Sequence, residues 1–523
     1  MIRVRQIKVD IIKDNKEEII NQIKNKLNTN DDITINKILK KSIDARDKEN
    51  IKYIYEIEIK INNEDKYLNN KDVYKMDNDE YIFDITPKNK DKKIIIVGAG
   101  PAGLFNAYML SMYGYKPIII ERGEKIEDRV KTVNTFFETN KLNENSNVQF
   151  GEGGAGTFSD GKLNTLTKDK ENRMKKVFEI FVKCGAPKEI MYDNKPHIGT
   201  DKLRDIIINM RNEIIKMGGS FRYNTTLTDI IMDNNKVKEI IVNNNEKLPC
   251  DILVLALGNS ARDTFYMLNR KGINIAPKPF AVGIRISHTQ KDINKSQYGK
   301  YYDVLPPCSY KLTYKTKNNR SVYSFCMCPG GYVVNSSSEK NKLVINGMSN
   351  YKRNTINANS ALVVSVDEND YGHNLFDGVK FQEMLEQKAY KIGNGLIPTQ
   401  KYIDFKNNKA STSLGKVEPI FKGNYELANI NEILPKYIAE SIIEGIEYFS
   451  TKINDYNMDD ALVSAVETRT SSPIRILRDE NYETNIKCIY PIGEGSGYSG
   501  GITTSSMDGI RAFEKIVTSL SKD

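Results

Sequence analysis

The alternation of apolar and polar residues separates a short N-terminal region from the rest of the chain. Residues 2–12 and 51–61 alternate with a period of two, which predicts half-exposed strands. Residues 15–27 repeat with the period of an amphipathic helix. These three elements predict a small α+β module over residues 1–90, which ends in the charged run Lys88-Asn89-Lys90-Asp91-Lys92-Lys93.

The remaining chain begins with a βαβ pattern and ends with a strand and a helix. Residues 94–97 and 117–120 are apolar throughout and flank a helical pattern over 102–113, as buried parallel strands and their crossover helix do. A helix over 201–217, strands over 220–223, 227–232, 237–242 and 252–257, a strand over 488–492 and a helix over 504–520 follow. Residues between them are strand-rich.

This order predicts an α/β protein of three parts. Residues 91–262 and 486–523 form a Rossmann-like domain with a three-layer arrangement around a mostly parallel sheet. Residues 263–485 form an inserted, strand-rich substrate domain, and residues 1–90 form a ferredoxin-like module.

A glycine motif follows the first buried strand. In Gly98-Ala99-Gly100-Pro101-Ala102-Gly103, the first glycine permits a tight turn, the second lets a diphosphate approach the backbone, and the third allows close helix packing. The helix N-terminus then offers unpaired N–H groups to the diphosphate. Glu121 ends the next strand, where a carboxylate accepts ribose hydroxyls and repels a 2′-phosphate. The motif therefore predicts FAD or NAD rather than NADP.

A second glycine stretch, Gly151-Glu152-Gly153-Gly154-Ala155-Gly156, has no helix pattern after it. We interpret it as an extended loop that lies against a flat ring or a phosphate, with Gly154, Thr157 and Ser159 as contacts. The alternative is a mobile lid or an ordinary surface loop.

A third glycine stretch decides between the two nucleotides. Gly495-Ser496-Gly497-Tyr498-Ser499-Gly500 follows Gly493-Glu494 and precedes Gly501-Ile502 and the last helix. Glu494 is placed to bond a ribityl hydroxyl, and the helix N-terminus favours the negative charge of a reduced flavin. A chain that begins with the ribose-binding turn and ends in this way predicts FAD.

The three segments 94–123, 255–258 and 491–502 resemble the FAD motifs of glutathione-reductase-type flavoproteins. The whole chain resembles a bacterial family of FAD-dependent, or NAD(FAD)-utilising, dehydrogenases, through segments 40–46, 151–163, 197–203, 326–331 and 467–473. The resemblance implies FAD contacts from a set of residues along the chain: Gly98, Gly100, Ala102, Gly103, Glu121, Arg122, Lys162, Gly258, Glu494 and Ile502. Arg129 is a further candidate for the diphosphate, and its alternative is a surface salt bridge.

Two cysteines of the insertion are candidates for chemistry beside the flavin. If residues 324–328 form a strand, the thiols of Cys326 and Cys328 point to one face, roughly 7 Å apart. They would exchange electrons with the flavin or hold substrate, and the alternative is two small buried core residues. His197 is the best acid–base candidate among the three histidines, and its alternative is a structural role ahead of the helix over 201–217.

Three other side chains are candidates for substrate contacts. Arg469 and Arg475 lie in Glu467-Thr468-Arg469-Thr470-Ser471-Ser472-Pro473-Ile474-Arg475 and would hold an anionic group, or else only form salt bridges in a turn. Tyr498, beside the last helix, would donate to substrate or stack on it.

Composition narrows the possible partners. The net charge of +9 is spread evenly over the chain, so no basic face predicts nucleic-acid binding. The six cysteines have no CxxC or zinc-type spacing, and we expect no metal site and a reducing, cytoplasmic environment. No export signal and no apolar stretch of about 18 residues is present, so we expect no membrane partner.

These features favour an FAD-dependent oxidoreductase that exchanges a hydride with a small-molecule substrate. No second nucleotide-binding pattern is present, so NADH or NADPH would act as a transient donor. The alternatives are an NAD(P)H-dependent flavin monooxygenase, a flavin-dependent nucleic-acid-modifying protein, and a redox-sensing binding protein.

Overall fold

Four antiparallel strands and one helix make up the N-terminal region of the computed structural model, which describes residues 1–76, 80–165 and 167–522. The elements are β1 (Ile2–Asp10), α1 (Lys16–Leu27), β2 (Thr34–Asp44), β3 (Lys52–Lys60) and β4 (Val73–Lys75). The strand order is β2-β3-β1-β4. Asn15 caps α1 by accepting the Glu18 N–H at 2.9 Å, and the buried face of the helix packs on the sheet.

A second group of elements alternates strands and helices. In chain order these are β5 (Ile94–Val97), α2 (Pro101–Met112), β6 (Ile118–Ile120), α3 (Ile126–Thr139), α4 (Arg173–Lys183), α5 (Thr200–Lys216) and β7 (Ser220–Arg222). An antiparallel group and a return to the first sheet follow: β8 (Leu227–Asp233), β9 (Lys236–Val242), β10 (Glu246–Pro249), β11 (Ile252–Leu255) and α6 (Arg262–Arg270).

The inserted part contains most of the remaining strands. Its first elements are β12 (Ile275–Pro277), β13 (Phe280–Thr289), α7 (Gln290–Tyr298), β14 (Thr313–Lys315), β15 (Ser321–Cys328), β16 (Tyr332–Asn335), β17 (Ile345–Met348) and β18 (Asn357–Val366). Its later elements are α8 (Glu368–Tyr371), α9 (Asp377–Ile392), β19 (Ile397–Lys401), α10 (Tyr402–Lys406), β20 (Phe421–Lys422), β21 (Tyr425–Leu427), α11 (Lys436–Phe449), β22 (Leu462–Glu467) and β23 (Ile474–Ile476). The chain ends with β24 (Ile489–Pro491) and α12 (Ile502–Lys522).

A five-stranded sheet of order β24-β11-β5-β6-β7, parallel throughout, positions the site. Alternate residues of β5 enter two different cores: Ile94 and Ile96 pack with α2, α5 and α12, whereas Ile95 and Val97 pack with β8, β9 and α6. Both faces of the central strands β5 and β11 are buried, which explains their uninterrupted apolar sequence. Their carboxyl ends meet at one edge, where the glycine turns follow.

The insertion is built on a seven-stranded sheet of order β14-β15-β18-β13-β22-β19-β21, with β17-β16-β20 as a smaller sheet beside it. Its entering and leaving strands, β12 and β23, pair with each other. The prediction of a mixed α/β chain is confirmed. Among helices formed by the described residues, none is both long and apolar enough to cross a membrane.

Candidate functional site

A cavity of about 410 Å³ lies at the carboxyl edge of the parallel sheet. One part of its wall comes from the three glycine segments and the ends of β6 and β11. The other part comes from the insertion, through Phe325, Cys326 and Asn346. The two halves of the chain therefore enclose one space.

The glycines of the first motif have two different roles: Gly98 and Gly103 permit close packing, and Gly100 faces the cavity. Gly98 has a φ of 106°, and a Cβ there would lie 2.5 Å from the Ala256 carbonyl oxygen. A Cβ on Gly103 would lie 2.0 Å from the Gly98 carbonyl oxygen, so this glycine permits close packing between turn and helix and does not line the cavity. A Cβ on Gly100 would meet no atom closer than 3.9 Å. Gly100 therefore faces open space at the start of α2, which has no side-chain cap.

Glu121 lines the cavity but also holds the backbone around it. Its Oε2 accepts the Ala99 N–H at 2.8 Å, and its Oε1 accepts the N–H groups of Gly123 and Gly151 at 3.0 and 2.9 Å. A carboxylate accepts about four hydrogen bonds, so one position remains for a ligand hydroxyl. Glu121, which was predicted to bind a ribose, therefore also joins the first and second glycine segments through these hydrogen bonds.

Arg129 corrects both interpretations of the sequence, because it is neither a surface salt bridge nor a cavity residue. Its guanidinium is fully buried and donates to five backbone carbonyl groups, those of Asn147, Val148, Gly151, Glu152 and Gly154, at 2.6–3.1 Å. Burial lowers its pKa to about 10. Arg129 therefore fixes the shape of the second glycine loop from behind.

The second glycine loop also contains a prediction that the structure contradicts. Thr157 is buried beneath Gly153 and does not line the cavity. Its carbonyl instead accepts the hydroxyl of Thr200 at the start of α5. The other predicted contacts do line the cavity: Gly98, Gly100, Pro101, Ala102, Glu121, Arg122, Gly154, Ser159, Lys162, Gly258, Gly493, Glu494, Gly501 and Ile502.

Lys162 carries a positive charge to the wall that the insertion provides. Its Nζ lies 3.1 Å from an oxygen of Asp160 and 4.0 Å from the Cys328 sulfur. Asp160 also accepts the Arg353 Nε at 3.0 Å. Burial raises the pKa of Asp160, but Lys162 and Arg353 lower it by more, so the carboxylate stays ionised. The pair keeps Lys162 charged at the cavity.

The two cysteines of the insertion do not lie on a regular strand, which the prediction of roughly 7 Å between their thiols assumed. Cys326 adopts a φ of 43° where β15 bulges between Phe325 and Cys328. Cys326 lines the cavity, whereas Cys328 is buried behind it. A hydrogen bond from Cys328 and the charges of Lys162 and Arg285 lower the pKa of the Cys326 thiol well below its ordinary value, against the effect of burial.

His197 has the structural role that was the alternative to acid–base catalysis. Its Nε2 lies 3.0 Å from the Tyr351 carbonyl oxygen, and its ring stacks on Tyr351. Burial and, next, Arg353 lower its pKa. His197 does not line the cavity, so its assignment as a catalytic candidate is corrected.

Arg469 lines the cavity, but its donors are taken. They reach Glu386 at 2.9 and 3.0 Å, Ser260 at 2.9 Å and Ser338 at 2.5 Å. Arg262 binds the same Glu386 carboxylate at 2.9 and 3.0 Å. The salt-bridge interpretation therefore fits Arg469 better than substrate binding does.

Tyr498 and Arg475 line a second cleft of about 520 Å³ rather than the first cavity. The Arg475 guanidinium lies 5.0 Å from the centre of the Tyr498 ring, and that of Arg478 lies 3.8 Å from it. The Tyr498 hydroxyl accepts the Arg478 N–H at 3.3 Å. Gly500 lines both spaces, so the cleft adjoins the cavity.

Glu494 places a carboxyl group with a shifted pKa in the cavity wall. Burial raises its pKa to about 7, although Lys278 opposes the shift. Its Oε1 accepts the Asn259 side-chain amide at 3.3 Å. The carboxyl group can therefore gain or lose a proton near neutral pH.

Sequence reasoning missed several residues at the site. Asp160 lies in the motif Thr157-Phe158-Ser159-Asp160-Gly161-Lys162. The closeness of its carboxylate to Lys162 in the sequence could have indicated an ion pair at the site. Asn346 and Lys278 had no such indication, because only the folding of the insertion brings them to the glycine segments.

Three stretches of the chain match known protein families. Residues 91–138 match a family described as FAD binding domain, and residues 279–470 match one described as FAD-dependent protein, C-terminal domain-like. Residues 1–60 match a domain of unknown function, DUF8436. An uncharacterized protein of Clostridium beijerinckii is 42% identical over 529 residues, covering 99% of this chain and 98% of that protein. The chain belongs to the family of this clostridial protein.

FAD is the cofactor, as the two FAD families that match the chain show. The residues at the cavity fit it: Gly100 faces open space, and Cβ atoms on Gly258 and Gly500 would meet nothing within 4 Å. Gly100 and Gly500 lie at the N-termini of α2 and α12, where anionic groups are favoured, and Gly258 follows β11.

The chain has only a weak structural similarity to solved structures of flavoproteins. The flavin-dependent brominase Bmp2 is 13% identical with a TM-score of 0.39, covering 83% of this chain and 80% of that chain. A geranylgeranyl bacteriochlorophyll reductase-like protein from Thermoplasma acidophilum is 12% identical with a TM-score of 0.35, covering 82% and 78%. These values carry no information about the reaction.

The environment of Cys326 leads to a prediction about thiol reactivity. In FAD-free protein at about pH 7, iodoacetamide should alkylate Cys326 at least about tenfold faster than Cys488, since the thiolate is the reacting species. Cys488 is the matched control because it is also partly exposed, but burial raises its pKa. Peptide mapping by mass spectrometry measures both rates. Added FAD should slow only Cys326, and equal rates for the two cysteines would contradict the prediction.

Proposed function

We propose that the protein is an FAD-dependent oxidoreductase that exchanges a hydride between its flavin and a small-molecule substrate. The observation that carries the proposal is the single cavity lined both by the glycine segments and by Phe325, Cys326 and Asn346 of the insertion. A substrate held by the insertion would share an enclosed space with the cofactor, as a hydride exchange requires.

In this function the cofactor and the substrate are bound by different domains. The parallel-sheet unit, residues 91–262 and 486–523, is a Rossmann-like, glutathione-reductase-type FAD domain in three layers, and residues 263–485 are the substrate domain. The pairing of β12 with β23 supports an insertion, because the chain leaves and returns at neighbouring strands. Residues 1–90 form a separate module, and the order β2-β3-β1-β4 supports a ferredoxin-like arrangement.

Each part of the cavity wall has a task in this function. FAD supplies a ring that accepts or donates a hydride. The uncapped start of α2 holds its diphosphate, and the free acceptor position of Glu121 takes a ribose hydroxyl. Lys162, held by Asp160, favours negative charge at the wall that faces the insertion. The carboxyl group of Glu494, with a pKa of about 7, holds or releases a proton.

The proposed reaction involves small molecules alone. The substrate is a small molecule, NADH or NADPH is a transient donor, and neither nucleic acid nor a membrane takes part. The location is the cytoplasm, where the six cysteines stay reduced.

Anaerobic reduction of the FAD-loaded protein tests the function. Addition of NADH or NADPH should bleach the visible absorption of the bound flavin, and a small-molecule acceptor should restore it. If neither nicotinamide bleaches the flavin, a small-molecule substrate must do so in its place. Oxygen consumption in step with NAD(P)H and substrate would identify the monooxygenase alternative.

A matched control is Gly100→Ala, whose Cβ enters the cavity without meeting an atom within 3.9 Å. This variant should keep the fold, lose flavin and lose the reaction together. A flavin that dithionite reduces, but that no nicotinamide or small molecule reduces or reoxidises, would overturn the proposal in favour of a structural cofactor in a binding or redox-sensing protein.

A further inference from the structure

The second cleft presents positive charge beside the flavin cavity. Its wall includes four cationic side chains: Lys278, Arg475, Arg478 and Arg511. Asp508 is the one acidic residue among the described residues that line the cleft. The wall therefore carries a net positive charge at neutral pH.

The single carboxylate does not neutralise the cleft, because its oxygens are already used. Asp508 is buried and accepts both Arg478 Nη atoms at 2.8 and 3.0 Å and the Gly493 N–H at 2.9 Å. Arg478 is thus the paired cation of the four. Lys278, Arg475 and Arg511 form no ion pair with a carboxylate among the residues that the structure describes, and Arg511 hydrogen-bonds the Tyr482 side chain.

The position of Lys278 and Arg475 makes an anion the expected occupant. Lys278 is partly buried, and its Nζ contacts only neutral groups, the Ser471 hydroxyl at 3.3 Å and the Ser472 carbonyl at 3.5 Å. Burial and the neighbouring Arg475 lower its pKa, whereas Glu494 raises it. The partly buried Lys278 and the exposed Arg475 therefore repel each other, and an anion between them would relieve this repulsion.

The cleft also has the right polarity and place for a substrate group. The hydroxyl-bearing residues Ser471, Ser499 and Thr504 line it beside the cations. Gly500 separates it from the cavity that holds the cofactor. A molecule anchored in the cleft could extend its other end past this glycine toward the flavin.

We propose that Lys278, Arg475 and Arg511 form a binding site for an anionic oxygen group, a carboxylate or a phosphate, of the molecule that reacts at the flavin. That this molecule reacts at the flavin rests on the proposed function, whereas the anion site itself does not. The anionic group belongs either to a small organic acid or phosphate ester, or to the phosphates of a nicotinamide dinucleotide.

Isothermal titration of inorganic phosphate into the FAD-loaded protein, at constant ionic strength, tests the site. One phosphate should bind per chain, and Arg475→Gln should weaken binding by at least about tenfold, as expected for loss of a charge-assisted hydrogen bond. Arg475 is a sound position because its side chain is exposed, with its guanidinium 5.0 Å from the centre of the Tyr498 ring. Lys278→Met, at the buried end of the cleft, should have the same effect.

Lys436→Gln is the matched control, since it removes one positive charge from an exposed position on α11. It should leave phosphate affinity unchanged. The proposal is overturned if phosphate binds no better than chloride, or if Lys436→Gln weakens binding as much as Arg475→Gln does, because the attraction would then come from diffuse surface charge.

Titration of NADH and NADPH into the same variants separates the two sources of the anion. A tenfold loss of affinity in Arg475→Gln assigns the site to the phosphates of the dinucleotide, and an unchanged affinity assigns it to the second substrate; both outcomes support an anion site. Phosphate binding to a protein whose flavin never reacts would contradict the proposed function alone.

Discussion

Replacing Glu386 with alanine should lower the free energy of unfolding by about 3–5 kcal/mol, the effect of breaking a buried ion pair. The carboxylate is fully buried and accepts from Arg262, Arg469 and Thr468 at 2.7–3.0 Å. Its loss would leave two almost fully buried guanidinium groups with only the partly exposed Glu339 and Glu383 nearby. Urea unfolding at neutral pH measures the change.

The matched control for this variant is Glu440→Ala. Glu440 pairs with Lys436 at 3.7 Å on the surface of α11, and its loss should change the free energy of unfolding by less than about 1 kcal/mol. Equal effects from the two variants would contradict the claim that the Glu386 network stabilises the fold. Because Arg469 also lines the cavity, Glu386→Ala should weaken FAD binding as well.

The same network predicts a dependence of stability on pH. Burial raises the pKa of Glu386, but Arg262 and Arg469 lower it by more, so the net pKa lies well below the ordinary value. A carboxyl group with a lowered pKa in the folded state stabilises the protein above its unfolded pKa, and this contribution fades as the pH falls. The difference in stability between wild type and Glu386→Ala should therefore shrink on acidification below about pH 5. A constant difference would show that Glu386 acts by packing alone.

The parallel-sheet unit could be predicted from the sequence because its information is local. Strand β5 lies at residues 94–97 as predicted, and α2, α5, β8, β9 and β24 differ from prediction by one or two residues at their ends. Buried parallel strands are apolar throughout, and glycines mark the turns that follow them. A few neighbouring residues therefore suffice to predict both the strands and the turns. The cavity-lining role of the glycine segments follows from the same rule.

Other features depend on contacts that no local pattern contains. No local pattern predicts the burial of Arg129, since its five acceptors are carbonyl groups of a loop some twenty residues further along. The bulge at Cys326 and the second cleft arise from pairing between distant strands. Helices α9 and α11 were not predicted, because they lie in a region interpreted only as strand-rich. Charge alone suggested an anion site at Arg469 and Arg475, but only the fold distinguishes the paired arginine from the exposed one.

Replacing Glu121 with alanine should destabilise even the FAD-free protein, by at least about 3 kcal/mol. The reason is that three backbone N–H groups would lose their acceptor in a buried position, and each unsatisfied buried donor costs about 1–3 kcal/mol. The first and second glycine segments would also lose the side chain that joins them. FAD affinity should therefore fall by more than the loss of one ribose hydrogen bond, which is about tenfold.

Thermal and urea unfolding of FAD-free protein separate this clamp from a role in ligand binding alone. Asp263→Ala is the matched control: Asp263 pairs with Arg122 at 2.8 Å on the same rim but is largely exposed, so it should cost less than about 1 kcal/mol. A carboxylate that served only the ribose would leave the FAD-free stability of Glu121→Ala equal to that of Asp263→Ala. A clear loss of stability before any cofactor is added would instead show that the acid at the end of β6 shapes the nucleotide site as well as contacting its ligand.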